Sequence, residues 1–231
     1  MVISDQILRH RALFITGTDT GVGKTTVACA IARGWVAQAH DVCAMKAIAS
    51  GGRTNKRGEF LCDDSKLLAA ESTPRGALAY EGVSGLRIVS PLLGFSQPIA
   101  PVSAAKHDGK VLDYRGILKS LRNLKERCAV ERINLLVEGA GGALVPLSKS
   151  RTVADLIADM QVPAVIVART ELGTINHTLL TVEALRARGV PIAGVVLNRM
   201  RTGALKLVET AGINEIRMML PKKIPLVQAW E

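Results

Sequence analysis

The residues best suited to chemistry lie near the start of the chain, in the run GTDTGVGKT at positions 17–25. Glycine lets backbone N–H groups turn inward around phosphate oxygens. Gly21, Val22 and Gly23 would form such a cradle, and Lys24 would reach the outer phosphates of a nucleotide. The hydroxyl of Thr25 would hold Mg²⁺, with Thr26 beside it at a helix N-terminus whose partial positive charge favours an anion. The strict pattern has a glycine where Thr18 stands, one place after Gly17, so the signal is the GKT triplet in its strand-to-helix setting.

A phosphate-bound metal needs a further anchor, and a carboxylate at a strand end commonly supplies it. Glu138 follows the apolar run Leu135–Val137 and precedes Gly139, Ala140 and Gly141, which leave room for close phosphate approach. Asp63 and Asp64 open a short helix, where capping is the favoured reading for either. Lys46 stands among apolar neighbours in CAMKAIASG. A lysine there faces an anion or lays its stem along the surface with the ammonium in water. Ser50 and Gly51 follow it as a turn.

These residues need a scaffold that brings strand ends together. Strand-like runs are read at Ala12–Thr16, Val42–Ala49, Ile133–Val137, Pro163–Ala168, Ile192–Leu197 and Ile224–Val227. Helices are read between them at Thr25–Gln38, Asp64–Glu71, Leu112–Arg127, Thr152–Met160, about Ile175–Arg188 and Leu205–Ala211. Such alternation predicts an α/β domain with a mostly parallel sheet and helices on both faces. Ligands then bind at the carboxyl edge of the sheet, where Glu138 falls. Gly51–Gly58 reads as a mobile loop, and Val83–Pro101 as an irregular excursion.

Composition bounds the function classes. The chain has 231 residues, 48% hydrophobic and only 3% aromatic, so one domain spanning 1–231 with an aliphatic core is expected. MVISDQILRHR lacks the apolar stretch of a signal peptide, and no apolar run is long enough to cross a bilayer, which points to the cytoplasm. The four cysteines and four histidines are scattered without metal-ligand spacing. The net charge of +10 suits a polyanionic nucleotide, and its dispersal along the chain argues against nucleic acid or membrane as partner.

Taken in order, the motifs resemble those of dethiobiotin synthetases. GTDTGVGKT is followed by KAIASG at 46–51, the acidic pair, PIAPVSAA at 98–105, VEGAGG with Pro146 soon after, GTINHTLLT at 173–181 and VVLNR at 195–199. The resemblance implies a P-loop NTPase-like fold and an Mg²⁺-dependent cyclo-ligase with ATP as co-substrate. It also implies diaminopelargonic acid and carbon dioxide as the other substrates. It casts Lys46, Lys24 and Thr20 as catalytic and Thr25, Asp64 and Glu138 as the metal shell, with Asp63 the local rival of Asp64. Ser50 and the turn of Gly173, Thr174, Ile175 and Asn176 become substrate-binding, the turn serving the neighbouring subunit of a homodimer. Asn198 and Arg199 join the nucleotide site, Asn198 at the base.

The chain departs from the pattern at Ala47, often proline in the family, and at Gly21, acidic in some members. Its C-terminal QAWE also lacks the usual Gly-x-Ile-Pro base loop. Two rival readings share the phosphate loop. Partitioning ATPases that bind DNA or membrane carry a signature lysine where Asp19 stands. Related amidoligases add a glutamine-hydrolysing domain, for which 231 residues leave no room.

Overall fold

The computed structural model describes residues 3–199 and 203–229. A short α1 (Asp5–Leu8) leads into β1 (Ala12–Gly17), the phosphate loop and α2 (Lys24–Ala37). Next come β2 (Val42–Lys46), β3 (Ile48–Ser50), a hairpin of β4 (Arg53–Thr54) and β5 (Phe60–Leu61), then α3 (Asp63–Ala70) and α4 (Pro74–Ser84). β6 (Leu93–Phe95), α5 (Pro101–His107) and α6 (Tyr114–Val130) precede β7 (Asn134–Gly142), α7 (Val153–Met160) and β8 (Ala164–Ala168). The chain closes with α8 (Thr174–Arg186), β9 (Ile192–Leu197), α9 (Leu207–Met219) and β10 (Leu226–Gln228). Trp230 and Glu231, which end the QAWE segment, lie outside the described residues.

Six strands form one parallel sheet in the order β10-β9-β8-β1-β7-β2. Side chains alternate across it because a strand has a period of two. Leu13 and Ile15 of β1 face a cluster containing Val27, Ile31 and Trp35 of α2. Phe14 faces the opposite cluster, with Leu121 and Leu124 of α6 and Ile157 of α7. Both faces are therefore covered, as the near-continuous apolar runs of the strands require. The Trp35 indole N–H donates to the Leu8 carbonyl at 2.8 Å, so the large buried ring loses no hydrogen bond and ties α1 to α2.

Three expectations need correction. The run read as one strand from Val42 to Ala49 is two. β2 ends at Lys46, and the Ala47 N–H donates to the Glu138 carbonyl while its own carbonyl accepts from Leu93. The chain thereby leaves the main sheet, and β3 pairs with β6 in a separate two-stranded sheet. The segment Gly51–Gly58, read as a mobile loop, contains β4 and most of the turn of a short hairpin. Its turn is stapled by the Asn55 side-chain oxygen, which accepts from the N–H groups of Arg57 and Glu59. The excursion at Val83–Pro101 begins inside α4 and contains β6. The signals for α4 are local: Thr73 caps it, Pro74 starts it and Gly85 ends it at φ 68°.

α4 lies so close to β2 that a Cβ on Gly76 would sit 1.9 Å from the Val42 carbonyl oxygen. Gly76→Ala must push the helix off the start of β2, the strand whose far end carries Lys46. The expected loss is about 1–3 kcal/mol. A thermal melt reads this as a fall in Tm of ~2–12 °C for a domain of this size; an unchanged Tm would refute the close approach.

Candidate active site

β1 ends at Gly17, and α2 starts at Lys24 with Gly23 as its N-cap. Gly21 and Gly23 hold the left-handed conformation, with φ of 73° and 88°, which side chains with a Cβ resist. Val22 between them is fully buried and pins the loop to the α2 side of the core. The Lys24 ammonium donates to the Asp19 carbonyl at 3.1 Å. Burial draws its pKa down, partly offset by Glu138 and Asp64.

The parallel register sets Lys46, the last residue of β2, beside Glu138 of β7. The Lys46 ammonium donates to Glu138 Oε1 at 2.6 Å and to Asp64 Oδ2 at 2.5 Å. The Thr25 hydroxyl also donates to Glu138 Oε1, at 3.1 Å. Burial alone would lower the Lys46 pKa, but the two carboxylates outweigh it and hold the ammonium charged. Glu138 is shifted up by burial against the pull of Lys46. Asp64 feels the same burial effect, yet Lys46 and the Thr25 hydroxyl bring it below its ordinary value. The neighbouring Asp63 points away, its side chain 95% exposed and 3.4 Å from Lys66.

Glu138 Oε2 is buried without a hydrogen-bond partner among the described residues. A carboxylate oxygen so placed can serve as a ligand to a hard cation. With the Thr25 hydroxyl and Asp64 it makes the hard oxygen set that Mg²⁺ takes. These residues fit the ion, although Lys46 already bridges the two carboxylates and would share them with it.

A cavity of about 550 Å³ opens over this cluster. It is lined by Thr20, Gly21, Gly23, Lys24, Thr25, Thr26, Lys46, Ser50, Asp64, Glu138, Ala140 and Gly141, all named from the sequence. Gly139 is behind the wall, where an added Cβ would meet the Phe14 ring at 2.7 Å. The wall formed by Pro98, Ile99, Ala100 and Pro101, with Ile48, Leu67 and Val145, was not assigned from the sequence. The PIAP run was its only mark there, and apolar residues carry no chemical signature.

Other expected site residues are placed apart from this cavity. The Asn198 side chain donates to the Val22 carbonyl at 3.0 Å, at the back of the loop. Arg199 is folded onto Glu209, both side chains almost fully buried, and is not among the residues that line the cavity. The Gly173–Asn176 turn begins α8 with Gly173 at φ 93° and no side-chain cap. One turn on, His177, Leu180 and Thr181 join Thr18, Asp19, Thr20 and residues 142–146 around a second cavity of about 410 Å³. Thr20 lines both cavities.

Residues 11–223 match a family model described as an AAA domain. An ATP-dependent dethiobiotin synthetase of Anaeromyxobacter dehalogenans strain 2CP-C is 44% identical over 189 residues, covering 82% of this chain and 77% of its own. The chain belongs to the dethiobiotin synthetase family. A dethiobiotin synthetase of Bacillus velezensis is 37% identical over 193 residues, covering 83% and 75%. Among solved structures, apo McdA of Cyanthece superposes with a TM-score of 0.51 at 15% identity, covering 95% of this chain and 85% of its own, which shows the shared fold alone. Membership in the dethiobiotin synthetase family disfavours the partitioning ATPase. In this chain Asp19, at that class's lysine position, pairs with Arg169 at 2.8 Å.

Proposed function

We propose that the chain uses ATP to carboxylate diaminopelargonic acid and close it to dethiobiotin, with ADP and phosphate as the other products. The Lys46 ammonium held between Glu138 and Asp64, in one cavity with Lys24 and Thr25, carries this reading. One substrate amine adds to carbon dioxide and loses a proton, giving a carbamate. A carbamate oxygen attacks the γ-phosphorus and ADP leaves. The second amine attacks the carbamoyl carbon, phosphate leaves with the C–O electron pair, and loss of a proton completes the ureido ring.

Each step asks for charge neutralisation and positioning rather than a protein nucleophile. Lys46, kept protonated by its carboxylates, offsets the carbamate charge. Lys24 meets the negative charge on the transferring phosphoryl group, and the phosphate-loop N–H groups hold its oxygens. Thr20 and Ser50 supply hydrogen bonds at the rim. Mg²⁺, held by Thr25, Asp64 and Glu138 directly or through water, would neutralise the nucleotide phosphates.

The uncapped start of α8 at Gly173–Asn176 suits a carboxylate, and we assign it the substrate carboxylate of the neighbouring subunit in a homodimer. The apolar Leu144, Leu172 and Leu180, each more than half exposed near this end of α8, support that assembly. No helix among the described residues is long and apolar enough to cross a membrane, and we place the reaction in the cytoplasm.

Incubation with diaminopelargonic acid, bicarbonate, Mg²⁺ and ATP should yield dethiobiotin by mass, with ADP formed in step. ATP hydrolysis that ignores the diamine, without product, would refute the assignment.

A further inference from the structure

We propose that Arg169 and Asn198 are positioning residues that hold the phosphate loop in its binding shape from the β8 and β9 side, with the buried Glu209 as their common anchor. The proposal rests on triphosphate binding at that loop and not on the ring-closing chemistry.

The loop is gripped at two points on either side of Gly21. At Asp19, the carboxylate Oδ2 accepts from the Arg169 guanidinium at 2.8 Å, while Oδ1 accepts from the Thr20 N–H at 2.7 Å. The carbonyl of the same residue carries the Lys24 ammonium. At Val22, the backbone carbonyl accepts from the Asn198 amide at 3.0 Å. Asn198 is itself fixed to the end of β8, its N–H donating to the Ala168 carbonyl at 2.7 Å.

Neither strut lines the phosphate cavity. Both lead back to α9. Thr170, next to Arg169, donates its hydroxyl to Glu209 Oε1 at 2.9 Å, and Arg199, next to Asn198, donates to the same oxygen at 3.2 Å. Glu209 is 1% exposed and also closes the cap of α9 by accepting from the Lys206 N–H. A buried carboxylate in such a position fixes the two strand ends relative to each other.

The reason for struts lies in the loop itself. Gly21 and Gly23 give it the backbone freedom to surround phosphates, and that freedom must be surrendered on binding. External holds at Asp19 and Val22 settle the shape beforehand. Because they act on the loop, their loss weakens every polyphosphate alike, whatever base it carries. This separates Asn198 as a strut from Asn198 as a base contact.

The experiment measures binding of inorganic tripolyphosphate, ATP and GTP by calorimetry with Mg²⁺, without turnover. Asn198→Leu is expected to weaken all three by the same factor, about three- to tenfold for one lost hydrogen bond. Arg169→Met is expected to do likewise, and Glu209→Gln to follow although its hydrogen bonds to Thr170, Arg199 and Lys206 are to residues that do not line the cavity. Asp19→Asn decides between positioning and plain field effects. It removes a negative charge near the phosphates, so a field effect alone would tighten binding; positioning predicts weaker binding, and no further loss when Arg169→Met is added.

In turnover the nucleotide KM rises while the diamine KM stays. Arg169 and Asp19 are part-exposed, so their variants remain informative should a buried one fail to fold. Tighter tripolyphosphate binding by Asp19→Asn, or loss of ATP but not tripolyphosphate binding in Asn198→Leu, would overturn the proposal. Wild-type binding that all variants retain would overturn it alone. Wild-type protein that binds no triphosphate would bring down the phosphate-loop reading with it.

Discussion

Lys24→Ala is expected to lower kcat by at least about 10²–10³ while the protein still folds. The lower bound is the typical loss when one preorganised group aimed at transition-state charge is removed. The Lys24 ammonium donates to a backbone carbonyl, not to a carboxylate, so its removal strands no ion-pair partner. Its burial is what gives it power: a cation already stripped of water needs little reorganisation when charge builds on the transferring phosphoryl group. Lys24→Arg should not rescue, since a planar guanidinium cannot replace a compact ammonium in the cramped space beside Gly17, where an added Cβ would already lie 3.2 Å from Nζ. Single-turnover ADP formation at saturating ATP is the measurement. Near-normal turnover would mean that the loop does not hold the transferring phosphate.

How far such a site can be read from sequence depends on the range of the interaction that fixes each part. The phosphate loop was legible because it is local: glycines, lysine and hydroxyl lie within one strand-to-helix turn. Glu138 was legible as a carboxylate at the end of an apolar run, although β7 does not stop there and continues through the glycines to Gly142. Asp63 and Asp64 could not be told apart, since both open a helix. A helical step of about 100° turns one inward and its neighbour to solvent, but only packing sets which. Lys46 stayed open between anion partner and surface until the β2–β7 register set it beside Glu138. The break at Ala47 was missed because β3 and β6 are three residues each, too short for a pattern. The holds on Asp19 and Val22 come from residues 150 and 176 positions away, which no local pattern encodes.

Lys46→Met tests the other half of the site and should be felt in both turnover and folding. The ammonium is 7% exposed and Glu138 1%, so the substitution leaves a carboxylate in low dielectric with its closest cation gone. Removing one partner of a buried pair costs about 3–5 kcal/mol. Two signs distinguish this from simple loss of packing. Burial already holds the Glu138 pKa above its ordinary 4.5, and without Lys46 it must climb further. A carboxyl whose folded pKa is raised contributes stability that is fully present below its unfolded value and is lost as pH rises through the folded one. The variant should therefore gain stability relative to wild type as pH is lowered from neutrality toward about 4.5. Mg²⁺ supplies the second sign. If Thr25, Asp64 and Glu138 accept the ion, the variant frees them from Lys46, and added Mg²⁺ should raise its Tm more than that of wild type. Urea melts across pH, with and without Mg²⁺, read both effects apart from catalysis. A pH-independent deficit that Mg²⁺ leaves untouched would show that Lys46 only fills space. Recovery of stability without recovery of turnover would instead separate its two tasks, balancing Glu138 in the resting protein and meeting the carbamate charge during reaction.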